Sequence, residues 1–551
     1  MSSRWKSAFL CTCLIVGALS TNFVFAQTPD SSQPEIVFKS RSELVTVPII
    51  VTDKFGAHVH SLKKEDFELM QDGARQNITD FEEVQKPSDI HVPAAVPGQF
   101  TNVLTSEPKP VNLTILMVDL LNTSITDQMN AKTALTQYLA ELGKNPPPTS
   151  IFALTGGGLK VIHDFATDPG KLATALQSTS PQREAVEPAM QVNLNKDSSP
   201  LMRQAFERLA EAEKHRELME REIAILTTLR AMRQIAQSCA GLPGRKILLW
   251  ASGGFPFSFS EIGEEMKTMS PTRASYADLA PFYQETWKIL NQSQVAVYPV
   301  DVRGLTTNML TDVSADSPTR GYEHSEWTNS ETIATFKAFA QMTGGLAFYN
   351  TNGLKRAFEK AADDNREYYM LSFYLNSHQA KTGWHKLNVR VKRRGTEVRA
   401  RSGFYVNPNS DQHNDAEIRV ALGSPVNYTA VPIVGKWEKI VSAADKEKGK
   451  KVVTFFLTMP ANFADIDESD NNHIKWEFAA IALTATGVTA GSTIKTFDAH
   501  LNGESLRQVK VNGVDYRGGI SVPPGEYMVH FAVRDRLSGR MGSVSTPLKV
   551  D

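Results

Sequence analysis

Five polar residues stand where three apolar runs end. Asp119, Asn122 and Thr123 follow the first run, Ser252 closes the second, and Asp301 closes the third. If the runs are parallel strands of one sheet, these side chains converge at its C-terminal edge, where open α/β sheets bind their ligands. Other chemistry-bearing groups point to less. Ser252-Gly253-Gly254 follows a strand as a nucleophile elbow does. It lacks the Gly-x-Ser-x-Gly frame, and Phe255-Pro256 stands where a helix should begin. Gly156-Gly157-Gly158 is not followed by Lys-Ser/Thr and a helix, so it reads as a hairpin turn, not a phosphate loop. Asp465, Asp467, Glu468 and Asp470 form an acidic loop without the glycine and distal glutamate of a calcium-binding EF-hand. His58 and His60 lie two apart on a turn, with no third ligand in view and no His-Glu-x-x-His motif anywhere. Cys239 falls within a helical pattern and reads as a small packed hydrophobe. Seven basic residues between Lys386 and Arg401 read as a solubilising strand edge. No catalytic residue emerges, and an enzyme is not expected.

The positioning elements follow from hydrophobic periodicity. Residues 43–53 are rich in β-branched residues and alternate like a strand. Residues 61–84 read as a turn, a strand, an Asp72-Gly73 hairpin and a second strand. Residues 85–110 hold five prolines and read as a linker. From residue 111 the pattern becomes strands alternating with helices. Strands are expected at 111–120, 150–155, 159–165, 246–252, 295–302 and 346–350, those at 111–120 and 246–252 of buried type, with a long charged helix over 201–240. Continuous apolar strands between helices predict a doubly wound sheet covered on both faces. Residues 367–406 return to three strands, and 416–551 read as all-β, the right size for one sandwich. The β-segments at 43–84 and 367–406 are each too small to bury a core. They are therefore expected to pair into one split β-sandwich, with the α/β unit of residues 111–366 inserted between them.

Residues 1–26 read as a secretory signal peptide. Arg4 and Lys6 precede an apolar run from Ala8 to Leu19, and Val24 and Ala26 fit a small-residue cleavage site. Cleavage removes two of the three cysteines, leaves Cys239 alone and predicts a disulfide-free exported chain in the periplasm, on the surface or in the medium. No later segment is long and apolar enough to cross a membrane. With 59 Lys+Arg against 60 Asp+Glu, the net charge of −1 gives no reason to expect nucleic acid as a partner.

Several stretches resemble the acidobacterial family of proteins related to the von Willebrand factor A domain. They are LVTVPIIVTDKFGAHVHSLKKEDFELMQDGARQNITDFEEV near the start, VDLLNTS (118–124), GRKILLWASGGFPF (244–257), VAVYPVDVRGL (295–305), TGGLAFYNTNGL (343–354) and YYMLSFY with VRARSGFYV. They span roughly residues 38–406. The resemblance implies a Rossmann-like A-type domain with β-rich flanks, acting as a protein-interaction or adhesion module in the cell envelope. Such domains often carry a metal-ion-dependent adhesion site. It uses Asp-x-Ser-x-Ser after the first strand, a later Thr and an Asp after the fourth strand, and it holds a Mg²⁺ or Ca²⁺ ion with a position open to a partner's carboxylate. Here Asp119 fits the first position and Thr123 the third. Leu121 stands where the first Ser belongs, and Ala251-Ser252-Gly253-Gly254 replaces the last Asp. Metal-independent binding of an unknown protein partner, through the edge formed by Asp119, Asn122, Thr123, Ser252 and Asp301, is the primary expectation. A rebuilt divalent-cation site is the alternative, and an enzyme acting on cell-envelope polymers ranks behind both.

Overall fold

The computed structural model describes residues 42–85, 96, 98–104, 109–142, 146–182, 200–255, 279–304, 320–351, 353–376, 383–406, 416–442 and 449–551. The signal segment 1–26, the linker 407–415 and most of 85–98 lie outside them. The chain opens with β1 (Ser42–Asp53), β2 (Phe67–Gln71), β3 (Ala74–Arg75), β4 (Asp80–Val84) and β5 (Gln99–Thr101). It continues through β6 (Leu113–Asp119), α1 (Ile125–Ala140), β7 (Thr149–Thr155), β8 (Gly158–Ala166), α2 (Pro169–Gln177) and α3 (Pro200–Ser238). Next come β9 (Lys246–Ser252), α4 (Ala280–Gln292), β10 (Val295–Asp301), α5 (Arg320–Thr343) and α6 (Leu354–Asp363). Four short strands follow: β11 (Tyr368–Asn376), β12 (Gly383–Val391), β13 (Thr396–Arg399) and β14 (Gly403–Val406). The last part holds α7 (Ala416–Leu422), β15 (Val434–Ser442), β16 (Lys451–Met459), β17 (His473–Leu483) and β18 (Thr489–His500). It closes with α8 (Gly503–Asn512), β19 (Val514–Val522), β20 (Gly525–Asp535) and β21 (Met541–Val550).

The architecture is mixed α/β with several sheets, one of them a mixed parallel sheet. That sheet runs β10-β9-β6-β7-β8. Its first four strands are parallel and β8 pairs antiparallel at the edge. Strands β6, β7, β9 and β10 are buried at every position, which is why their sequences run apolar without alternation. One face packs Leu113, Met117, Trp250 and Val297 against the second half of α3, α4 and α5. The other packs Leu116, Val118, Ala251 and Tyr298 against α1, α2 and α6.

Residues 42–84 and 368–406 contribute to two four-stranded sheets, β13-β1-β11-β4 and β14-β12-β2-β3. Val47, Ile49, Phe67 and Leu69 share one core with Leu371, Phe373, Leu387 and Phe404. Asp72-Gly73 turns β2 into β3 with both φ angles positive, 50° and 84°, as a two-residue hairpin requires. A further core joins β15–β17 and β19–β21 around Trp476, Phe455 and Phe531.

Several expectations are corrected. The stretch 346–350 is not a strand: it makes a single bridge, Phe348 to Val300. The run 396–406 is two strands, because β13 pairs with β1 and β14 with β12. The chain changes sheets between them. The C-terminal part is not all-β: α7 and α8 interrupt it, and Asn502 caps α8 by accepting the Ser505 N–H. The linker reading of 85–110 misses β5, which pairs with β15 rather than with residues 367–406. Phe100 enters the C-terminal core, and the Asn102 side chain bonds Tyr428 O, Val431 O and Ile433 N. Three residues are too few to show a strand period, and Phe100 and Asn102 together anchor this segment.

Candidate strand-end polar site

Strands β6, β9 and β10 end in register. Asp301 is the partner of Ser252 across β10 and β9, and Val118 of Ala251 across β6 and β9. Asp119, Ser252 and Asp301 therefore leave the sheet side by side. Loop 120–123 then leads into α1, whose N-terminus Ser124 caps by accepting from Asp127 N. Gln128, one turn in, holds the loop from beneath. Its amide donates to Leu120 O, Thr123 O and Gln182 O, and it accepts from Gln182 N.

The Asp119 carboxylate lies at the centre and is 1% exposed. Oδ1 accepts from Leu121 N at 3.1 Å, Asn122 N at 2.9 Å and Asn122 Nδ2 at 3.1 Å. Oδ2 accepts from Asn122 Nδ2 at 2.9 Å and Trp250 Nε1 at 3.0 Å, with Ser252 Oγ at 2.8 Å. Trp250 and Ser252 are two apart on β9, hence on one face. Asn122 Nδ2 also donates to Thr228 Oγ1 on α3 at 3.0 Å. Ser252 Oγ lies 2.8 Å from Gly254 O as well, so its one hydroxyl proton serves either acceptor. Thr123 Oγ1 accepts from Gly253 N at 2.8 Å. A Cβ on Gly253 would sit 3.0 Å from Thr123 Cγ2, so the Thr123 side chain would have to give way. Burial pushes the Asp119 carboxyl above its ordinary value, led by desolvation and opposed by these donors.

Asp119, Asn122, Thr123 and Ser252 are thus tied together through bonds made inside the protein. Asp301 is a neighbour but not a member. Its carboxylate takes a two-pronged bond from Arg303, at 2.9 Å to Nε and 2.8 Å to Nη2, and a third bond from Arg303 N. All five residues are buried. Thr179 lies apart from this network and caps the end of α2 by donating to Leu176 O.

These residues do not fit a divalent cation. Both oxygens of Asp119 already accept from N–H groups, and a cation would have to displace donors that are themselves buried. Leu121 brings no oxygen. Asn122 turns its amide N–H groups, not its oxygen, toward the carboxylate. Trp250, Thr228, Gln128 and Arg303 were not singled out from the sequence. Two had a local signal: Trp250 shares a strand face with Ser252, and Arg303 is two residues past Asp301. Thr228 and Gln128 reach the loop only through folding.

The opposite end of the sheet carries a charged hub. Arg245, just before β9, is buried. It donates to Asp364 O, Tyr298 Oη and Gly344 O, and its own N–H bonds Tyr368 Oη. Asp364 accepts from Arg399 at 2.6 Å and from Tyr298 Oη at 3.1 Å. Two of the seven basic residues expected on a solvated edge therefore face inward: Arg399 pairs with Asp364, and Arg401 is buried.

No family model matches the chain, and no curated protein does. Among solved structures, proximal thread matrix protein 1 from the mussel byssus aligns at 12% identity, over 47% of this chain and 48% of that one, with a TM-score of 0.25. The chain spans about half the length of that protein. An aerotolerance-related membrane protein from Bacteroides fragilis aligns at 11% identity, over 46% and 98%, with a TM-score of 0.23. The ArnB paralog VWA2 from Sulfolobus acidocaldarius aligns at 8% identity, over 88% and 75%, with a TM-score of 0.19. Scores of this size do not establish a shared fold.

Proposed function

We propose that this chain is an exported, non-enzymatic protein-interaction module. Its von Willebrand factor A-like α/β unit is inserted in a split β-sandwich, and a C-terminal β-sandwich follows. The closed network around Asp119 shapes the strand-end edge from within and works without a metal ion. The sequence motifs support the A-like assignment. The signal-like segment 1–26 supports export to the periplasm, surface or medium.

The observation that carries an interaction role is an exposed apolar stripe on the first half of α3. From Ala224 onward this helix is packed into the α/β core. The stretch before that runs for about 33 Å, at 1.5 Å per residue. Leu201, Ala205, Leu209, Ala212, Met219 and Ile223 are all exposed, and their spacing keeps them on one face. Arg216, on the same face, pairs with Glu213 and Glu220 of its own helix. An apolar stripe on a charged helix is a surface for a second helix.

The occupant is a second copy of this stretch, running antiparallel. Arg203 and Arg208 outweigh Glu207 toward its start, and Glu217, Glu220 and Glu222 outweigh Arg221 toward its end, so antiparallel pairing sets a basic excess against an acidic one. A stripe this short predicts weak, concentration-dependent association. Sedimentation velocity over a concentration series tests it, with a Leu209→Glu/Met219→Glu variant altered only at exposed positions. The chain should self-associate and the variant should run as a monomer. A monomeric parent chain, or a variant that associates equally well, refutes this reading.

A further inference from the structure

Away from the strand-end site, the loop after β1 carries His58 and His60 to Glu83 on β4. One ligand-type atom from each lies within 4.8 Å of the other two. His60 Nδ1 is 3.1 Å from Glu83 Oε1, and His58 Nε2 is 3.8 Å from the same oxygen. Glu367, just ahead of β11, stands 3.6 Å from His60 Nε2. The third ligand that the sequence did not reveal is thus supplied by folding, 23 residues beyond His60.

His58 is the informative residue. Its side chain is only 8% exposed, yet neither ring nitrogen has a hydrogen-bond partner. Buried imidazole nitrogens are ordinarily bonded. The ring stacks on Tyr369 at 5.3 Å and meets His60 edge-on at 4.7 Å, so its position is set by packing. The loop is fixed as well. Tyr369 Oη donates to Val59 O at 2.7 Å and accepts from Leu62 N at 3.2 Å. Ser61 N donates to the Glu83 carboxylate at 3.2 Å.

We infer that His58, His60 and Glu83 form a binding site for a borderline divalent transition cation, of which zinc is the type, with Glu367 or water completing the shell. Two imidazoles and a carboxylate match the donor preferences of zinc. Magnesium and calcium take six or more ligands, almost all oxygen. Tetrahedral zinc wants ligand atoms about 3.4 Å apart, from bonds of about 2.0–2.1 Å. Rotation of the exposed His60 and of Glu83 toward the fixed His58 closes that gap. The cation would tie the β1 loop to β4 and, through Glu367, to the start of β11. A second cluster, Asp470, His473 and His500 on the C-terminal sandwich, lacks the distinguishing feature. There both His473 nitrogens already face carboxylates, Asp470 at 3.2 Å and Asp498 at 2.7 Å. It serves as the control.

The test is titration of Zn²⁺ and Co²⁺ into the metal-stripped chain without residues 1–26, by calorimetry and by the visible spectrum of cobalt. His60→Ala and Glu83→Gln avoid the buried ring, and circular dichroism checks that both variants fold. One equivalent should bind, cobalt should give the intense bands of a tetrahedral site, and each variant should lose at least about tenfold in affinity for that equivalent. His473→Ala should leave it in place. No binding of either ion, unchanged binding in both folded variants, or loss in His473→Ala would each overturn the assignment.

Discussion

Ser252 Oγ lies 2.8 Å from Asp119 Oδ2, joining the last residues of two neighbouring parallel strands. In an adhesion-type metal site an aspartate at the Asp119 position would face a cation. Here it faces a hydroxyl, an indole N–H, an amide and two backbone N–H groups. Calorimetric titration of Mg²⁺, Mn²⁺ and Ca²⁺ should therefore show no saturable heat that depends on Asp119. Asp119→Ala should lower stability by at least about 3 kcal/mol, because several buried donors lose their acceptor at once. A cation isotherm abolished by Asp119→Ala would restore the adhesion-site reading.

Asp364 is the shared acceptor of Arg399 and Tyr298, and its backbone carbonyl holds Arg245. Truncation to Ala leaves the Arg399 guanidinium beside a buried void, which costs about 3–5 kcal/mol. Urea denaturation should show that loss. A change within 0.5 kcal/mol or so would mean the hub is solvated in solution.

Gly345 packs so tightly beneath β10 that a Cβ would lie 1.9 Å from Val297 O. Backbone cannot yield as a flexible side chain does. Gly345→Ala should destabilise by about 3 kcal/mol, visible as a lower midpoint in thermal unfolding. A variant as stable as the parent would show that 344–348 is not seated against the sheet as described.

Burial, and then the nearby Asp465 carboxylate, pushes the Asp535 carboxyl above its ordinary value, against hydrogen bonds from Leu537 N and Ser538 Oγ. The folded chain therefore holds this proton more tightly than the unfolded chain. Between the unfolded value of about 3.9 and the higher folded one, stability falls as pH rises, because the native state binds more protons there. Asp535→Asn should flatten that part of the stability curve relative to the parent. An identical slope in both proteins would contradict the assignment.

Much of this was legible in the sequence for a physical reason. Strands β6, β7, β9 and β10 are buried on both faces, so their apolar runs are unbroken, and Asp72-Gly73 permits few turns besides a hairpin. Asp119, Asn122, Thr123 and Ser252 were legible as neighbours because parallel strands end together. Their partners were not. Thr228 lies on a helix more than 100 residues away, and Asn122 offers an oxygen or an N–H equally well until its surroundings choose. Phe100 gave no strand pattern because β5 is three residues long. Glu83 carried no mark of its own, being one of several acidic residues beside a turn; only the register of β4 against β11 brings it to His58 and His60.

The most direct measurement is sedimentation velocity of the chain without residues 1–26, with and without a chelator, beside the Leu209→Glu/Met219→Glu variant. A metal-independent interaction module with its contact on α3 predicts concentration-dependent association that persists in chelator and disappears in the variant. A chain that is monomeric throughout, or that dissociates when divalent cations are removed, would contradict it.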